Sequence, residues 1–118
     1  MTNPSLRIEA YDAAIAGAQR LLAGAEPKAA FALLERAHVL GQRDFSRHWR
    51  VHVLMLRAAR AMGDGREVRG QLMRLALTPL GHLTRRLPLG NTGGANVNAF
   101  VPMDIPPDLR RVLEDKDG

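Results

Sequence analysis

Apolar positions recur at helical spacing in four stretches of the chain. Leu6, Tyr11, Ile15, Ala18, Leu21 and Leu22 predict a first helix over 6–23, with Asn3-Pro4-Ser5 as its cap and Gly24 as its end. A second is predicted over 27–40. Pro27 suits its first turn, Ala30, Phe31, Leu34, Ala37 and His38 form its stripe, and Gly41 is the expected stop. Asp44 reads as the cap of a third helix, whose face comprises Phe45, Trp49, His52, Val53, Leu56 and Ala59 and which ends near Gly63. Asp64-Gly65-Arg66-Glu67 has the form of a capping box. The fourth helix it opens runs through Val68, Leu72, Leu75 and Ala76 until Pro79 or Gly81 breaks it.

The turns joining the first three helices are too short for anything but antiparallel neighbours. The expected fold class is therefore all-α, two antiparallel helical hairpins built from about four helices. Gly24, Leu34 and Ala37 match Gly63, Met73 and Ala76 at a shift of 39 residues. This weak echo is tetratricopeptide-like, but the full repeat signature is missing and there is room for two repeats only.

Beyond Gly81 the periodicity stops. Residues 88–98 are rich in Gly and Asn, and Pro102-Met103-Asp104-Ile105-Pro106-Pro107 must be extended, since each proline restricts its predecessor. A short helix over 107–114 is expected to close the chain. Val97, Phe100, Val101, Met103, Ile105 and Leu109 give this irregular Gly/Pro-rich segment too much apolar content for a free linker. The organisation expected is a helical domain over 1–87 with residues 88–118 packed on it.

Composition narrows the class further. A length of 118 residues fits one domain, and aromatics at 4% leave the core to Leu, Ala, Val and Met. With no cysteine, disulfides, zinc ribbons and thiol chemistry are excluded, and a reducing compartment is a consistent setting. The start lacks the basic residues and apolar run of a signal peptide, and no stretch approaches the roughly 18 apolar residues of a membrane span. A cytoplasmic protein without membrane contact is the default expectation.

The net charge of +5 is unevenly placed. Eleven arginines lie between Arg36 and Arg86 against three acids, whereas the last fifteen residues hold five acids and three bases. A basic middle can attract nucleic acid or an acidic partner. Arginine standing in for lysine on solvated helix faces is the favoured explanation, because lysine occurs only at 28 and 116.

The candidate chemistry is histidine-centred. His48 and His52 are spaced i, i+4, and Glu35 and His38 are spaced i, i+3. An antiparallel turn near Gln42 sets His38 across from Arg47 or His48, with Glu35 level with Trp49 to His52. One pocket could thus collect Glu35, His38, His48 and His52, a set suited to Zn²⁺, Fe²⁺, Ni²⁺ or Cu²⁺. Packed, hydrogen-bonded core histidines are the more common outcome in such stripes, and that reading ranks ahead of metal binding. A di-iron centre lacks its second Glu-x-x-His pair. A zinc-protease helix is excluded by Trp49, which stands where the glutamate is needed. His82 is expected in a solvent-exposed loop, with a fourth-ligand role as its alternative.

Asn91, Thr92, Gly93, Gly94 and Asn96 form a loop that could contact a ligand or partner, as an anion nest with Arg85 and Arg86 nearby. Tight turns that need positive φ are the favoured explanation of its glycines. The loop is not a P-loop, lacking the Gly-Lys-Ser/Thr ending. No Ser/His/Asp constellation is present, so an enzyme is not expected.

Glu35-Arg36-Ala37-His38-Val39-Leu40-Gly41-Gln42, His48-Trp49 and Gly90-Asn91-Thr92-Gly93-Gly94-Ala95-Asn96-Val97, with the proline-rich stretch over 102–107, resemble a bacterial family known as domain of unknown function 3703. The resemblance implies a small bacterial protein with no assigned activity and carries over no functional residues. The favoured functional reading is a non-enzymatic module that binds a protein partner, a ligand or a second copy of itself. The alternative is a metal-binding or metal-sensing protein using the Glu/His cluster, and the third is an arginine-mediated nucleic-acid binder.

Overall fold

Ser5 starts the first helix with its side chain, Oγ accepting from the Ile8 amide at 2.9 Å. The computed structural model describes residues 5–85, 88–95 and 97–114. Among them the chain forms five helices and no strand: α1 (Leu6–Ala23), α2 (Pro27–Gly41), α3 (Phe45–Met62), α4 (Gly65–Thr84) and α5 (Pro107–Glu114). Each of the first three packs on the next, and α5 lies against α1 and α2.

The core holds Tyr11, Ile15 and Ala18 from α1, Ala30, Leu34 and Ala37 from α2, and Val51, Leu54, Met55 and Ala58 from α3, closed by Leu109 of α5. Fully buried alanines at 18, 30, 37 and 58 let the helix axes approach closely. The stripes expected for α1 and α2 hold at Tyr11, Ile15, Ala18, Ala30, Leu34, Ala37 and His38, with Leu21, Leu22 and Phe31 half-buried beside them, but Leu6, at the start of α1, is 47% exposed.

Two expected stops and one cap behave differently. Gly41 lies inside α2, and the helix leaves through Gln42 in right-handed conformation. Its lack of a side chain serves packing instead: a Cβ there would stand 2.7 Å from the Tyr11 ring. The Tyr11 hydroxyl donates to the Arg47 carbonyl at 2.9 Å, tying α1 to α3. Asp44 flanks α3 without capping it by its side chain, because its carboxylate is taken by Arg7 at 2.8 Å and Arg47 at 3.2 Å. α4 runs past Pro79 and Gly81 to Thr84.

The faces of α3 and α4 are the larger correction. α3 buries His48, Val51, His52, Leu54, Met55, Ala58 and Ala59, while Phe45, Trp49 and Val53 of the expected apolar face are exposed. α4 buries Glu67, Gln71, Arg74 and Thr78, and Leu72 is 53% exposed. A helix that turns polar side chains inward at this spacing must find hydrogen-bond partners there. They come from His52, from Gly93, Ala95 and Val97 of the loop that follows the helix and, for Thr78, from the Arg74 carbonyl of the helix itself.

That loop is fixed by side-chain amides. Gln42 donates to the Pro88 carbonyl at 2.7 Å and accepts from the Gly90 amide at 3.1 Å. Asn91, 1% exposed, donates to the Asn98 and Val101 carbonyls at 2.8 Å each and accepts from the Gly93 amide at 2.8 Å. Leu109 is buried, and Ile105, Val112 and Leu113 pack on the core as the tail's apolar content requires. Phe100 and Val101, expected to join them, stay 71% and 47% exposed.

Candidate metal centre

His38, late in α2, meets His48 and His52, which occupy successive turns of α3 and point the same way. Their Nε2 atoms form a nearly equilateral triangle: 3.0 Å from His38 to His48, 3.1 Å from His38 to His52 and 3.2 Å from His48 to His52. All three residues are buried. Ring planes cross at 78° and 73° between His38 and the other two, so the rings fan out from the triangle instead of stacking.

Behind each ring stands a partner for Nδ1. His38 Nδ1 donates to the Asn91 carbonyl at 2.6 Å, and a carbonyl can only accept. His52 Nδ1 faces Gln71 Oε1 at 2.7 Å. The orientation of that amide is set from its other end, where Nε2 donates to Glu67 Oε2 at 2.8 Å and to the Gly93 carbonyl at 2.9 Å. Gln71 Oε1 therefore accepts, and His52 carries its proton on Nδ1. His48 Nδ1 lies 2.9 Å from His82 Nε2, a contact that either ring can donate.

Burial pushes all three triangle histidines toward the neutral form. It holds His38 well below the ordinary imidazole range, with the neighbouring His52 and His48 adding to the effect. His48 is lowered to about 3 and His52 to about 4, again mainly by loss of water. A neutral ring has one N–H and one lone pair. The Nε2 lone pairs of His38 and His52 thus face the centre, and that of His48 joins them when its Nδ1 donates to His82.

Glu35 is not among the converging atoms, which belong to His38, His48 and His52 alone among the described residues. It is half-buried, and desolvation raises its pKa, opposed by the nearby Thr92 hydroxyl. That buried hydroxyl has no partner in hydrogen-bonding geometry among the described residues. His82, expected in an exposed loop, sits in the last turns of α4, where it contacts His48 and meets the Phe45 ring edge-on at 5.3 Å.

The Asn91–Gly94 loop covers the triangle. Amides here are already taken: that of Asn91 by the Pro88 carbonyl, that of Gly93 by Asn91 Oδ1, and that of the adjoining Ala95 by Glu67 Oε2 at 2.8 Å. The carboxylate this segment holds is the protein's own Glu67. Asn96 and Arg86, parts of the expected nest, lie outside the described residues.

Glu67, Gln71 and Arg74 are the residues that sequence reasoning missed. The Asp64 side chain does accept from the Glu67 amide at 3.0 Å, as a capping box requires, but the Glu67 carboxylate turns inward. The available signal was the spacing of Glu67, Gln71, Arg74 and Thr78, which places four polar residues on one helical face. In front of the Nε2 triangle lies a cavity of about 320 Å³, lined by the three histidines, Arg74 and apolar side chains of α4 and the loop.

A family model described as a protein of unknown function (DUF3703) matches residues 6–113. No curated protein and no solved structure matches the chain.

Proposed function

The chain belongs to the DUF3703 family of proteins of unknown function, and we propose that it binds one divalent transition-metal ion through the Nε2 atoms of His38, His48 and His52. The observation that carries this reading is the triangle with 3.0–3.2 Å edges, two of whose rings, His38 and His52, are oriented from behind by hydrogen-bond acceptors. Nitrogens about 2.0–2.1 Å from one zinc ion stand about 3.0–3.4 Å apart, so the triangle has the size such an ion needs. Lone pairs that converge in a buried space repel one another unless a cation lies between them. A packed core histidine pairs its one N–H with an acceptor and its one lone pair with a donor, and gains nothing from turning that lone pair toward two others.

The donor set is all nitrogen, which suits Zn²⁺, Fe²⁺, Ni²⁺, Co²⁺ or Cu²⁺ and disfavours Mg²⁺ and Ca²⁺. Three protein ligands and a cavity leave a coordination position open, the pattern of sites where a metal meets water or a ligand. Asn91, Gln71 and His82 are the groups that orient the ligands.

The test is elemental analysis of protein produced without a histidine tag, followed by calorimetric titration with Zn²⁺. One ion per chain is expected. His38→Ala, His48→Ala and His52→Ala should each abolish tight binding, while Glu35→Gln keeps it. Protein that is metal-free and takes up neither Zn²⁺, Co²⁺ nor Fe²⁺ refutes the reading. A second reading, a protein-interaction module, draws on the apolar side chains that α4 exposes away from the cavity, Leu72, Met73 and Leu83 at 53%, 48% and 83% exposure. A concentration-independent monomer that captures no partner counts against it.

A further inference from the structure

Three neutral imidazoles leave the charge of a divalent ion uncompensated. A second cation lines the same cavity. Arg74 is buried, and its guanidinium donates to the Gly70 carbonyl at 3.3 Å and the Val97 carbonyl at 2.6 Å, both neutral acceptors. Among the described residues the ion pairs are those of Arg7, Arg36 and Arg47, so Arg74 has none. Burial lowers the Arg74 pKa and the nearby Glu67 opposes this, but one carboxylate offsets only one of the positive charges gathered here. Arginine has five N–H donors, of which these two contacts use a part.

The rest of the cavity wall is mainly apolar, with Leu77, Leu80, Pro88, Ala99 and Phe100 facing it. A volume of about 320 Å³ falls at the small end of ligand pockets. A phosphate dianion would lose its strong hydration against such walls with few donors in return. A carboxylate matches the guanidinium fork and brings a single charge, and its aliphatic body suits the apolar side.

Resting on the metal reading above, we infer that this cavity takes a small organic monocarboxylate. Its head group is held between the metal ion and Arg74, and its tail lies on Leu77, Leu80, Ala99 and Phe100.

The experiment uses the full chain loaded with Co²⁺, whose visible absorption reports changes at the open coordination position. Acetate, propionate and butyrate are titrated, with butyramide as the uncharged control. Affinity should rise about fourfold for each added methylene, the value of burying one CH₂. Butyramide should bind at least about tenfold more weakly than butyrate, the effect of losing a charge-assisted contact. Arg74→Met should lower butyrate affinity by about tenfold or more while Co²⁺ stoichiometry stays at one. Should Arg74→Met fail to fold, the comparison of butyrate with butyramide on the parent protein decides alone. If Co²⁺ binds but carboxylates leave the spectrum unchanged, or bind without dependence on chain length or charge, the inference is overturned and the metal reading stands. If Co²⁺ does not bind at all, the metal reading falls and takes this inference with it.

Discussion

Gly93 lies flat against the His38 ring: with φ at +84°, a Cβ built on it would stand 2.5 Å from Cδ2 and 2.8 Å from Nε2 of that imidazole. The loop over 88–95 can therefore seat on the histidine triangle only because this residue has no side chain. The same contact lets the Asn91 carbonyl reach His38 Nδ1 and the Gly93 carbonyl reach Gln71.

Gly93→Ala should accordingly do two kinds of damage. The left-handed backbone becomes strained and the methyl collides with His38, for a combined loss of about 1–3 kcal/mol in urea unfolding. Zn²⁺ affinity should fall as well, since His38 must turn. A variant as stable as its parent would mean that the loop does not rest on the ring.

Gln71 joins α4, His52 and the loop. Gln71→Leu removes the acceptor that keeps the His52 proton on Nδ1, and it strips Glu67 and the Gly93 carbonyl of a donor. Zn²⁺ affinity should drop about 10- to 100-fold, the usual effect of losing such a supporting contact. Stoichiometry should remain one ion per chain. Calorimetry giving an unchanged dissociation constant contradicts the tautomer argument.

Acid should destabilise the metal-free protein through the same histidines. Their folded-state pKa values are depressed, to about 3 for His48 and about 4 for His52 and in the same direction for His38, from an ordinary value of 6.5. Below that ordinary value the unfolded chain binds protons that the folded chain refuses, so unfolding gains as pH falls. Stability from this source is complete above about pH 6.5 and declines toward pH 4, at about 1.4 kcal/mol per pH unit for each histidine. Urea midpoints measured from pH 7 to 4.5 should fall steeply. His48→Gln should flatten the slope by about one histidine's share, and an unchanged slope argues that His48 is solvated.

Trp49 and Met55 offer a contrast on α3. Trp49 is 38% exposed and stacks on Phe45 at 6.0 Å, whereas Met55 is fully buried in the core. Trp49→Ala should cost less than about 1 kcal/mol and Met55→Ala about 2–5 kcal/mol. Equal losses in thermal or urea unfolding count against the face assigned to this helix.

Much of this was legible along the chain. Helical periodicity, Pro27, Gly24 and Gly63 mark the helices to within a few residues, because caps and apolar repeats act over one or two turns. The i, i+4 pair His48 and His52 and the short antiparallel connection place His38 opposite them. Glu35 fails the same reasoning by a small rotation. Three residues from His38 puts it on an adjoining part of the helix surface, and it faces Thr92 instead of the triangle.

Local pattern along the chain sets which segments are helical, how the first helices pair, and that three histidines share one neighbourhood. Which faces of α3 and α4 turn inward is a property of the assembled fold. On α3 an aromatic stripe and a histidine stripe both have helical spacing, and local preference cannot choose between them. Polar residues go inside when their hydrogen bonds are met there, and those partners are distant: the carbonyl that holds His38 lies 53 residues further along the chain. Such agreement among remote groups exists only once the chain has folded.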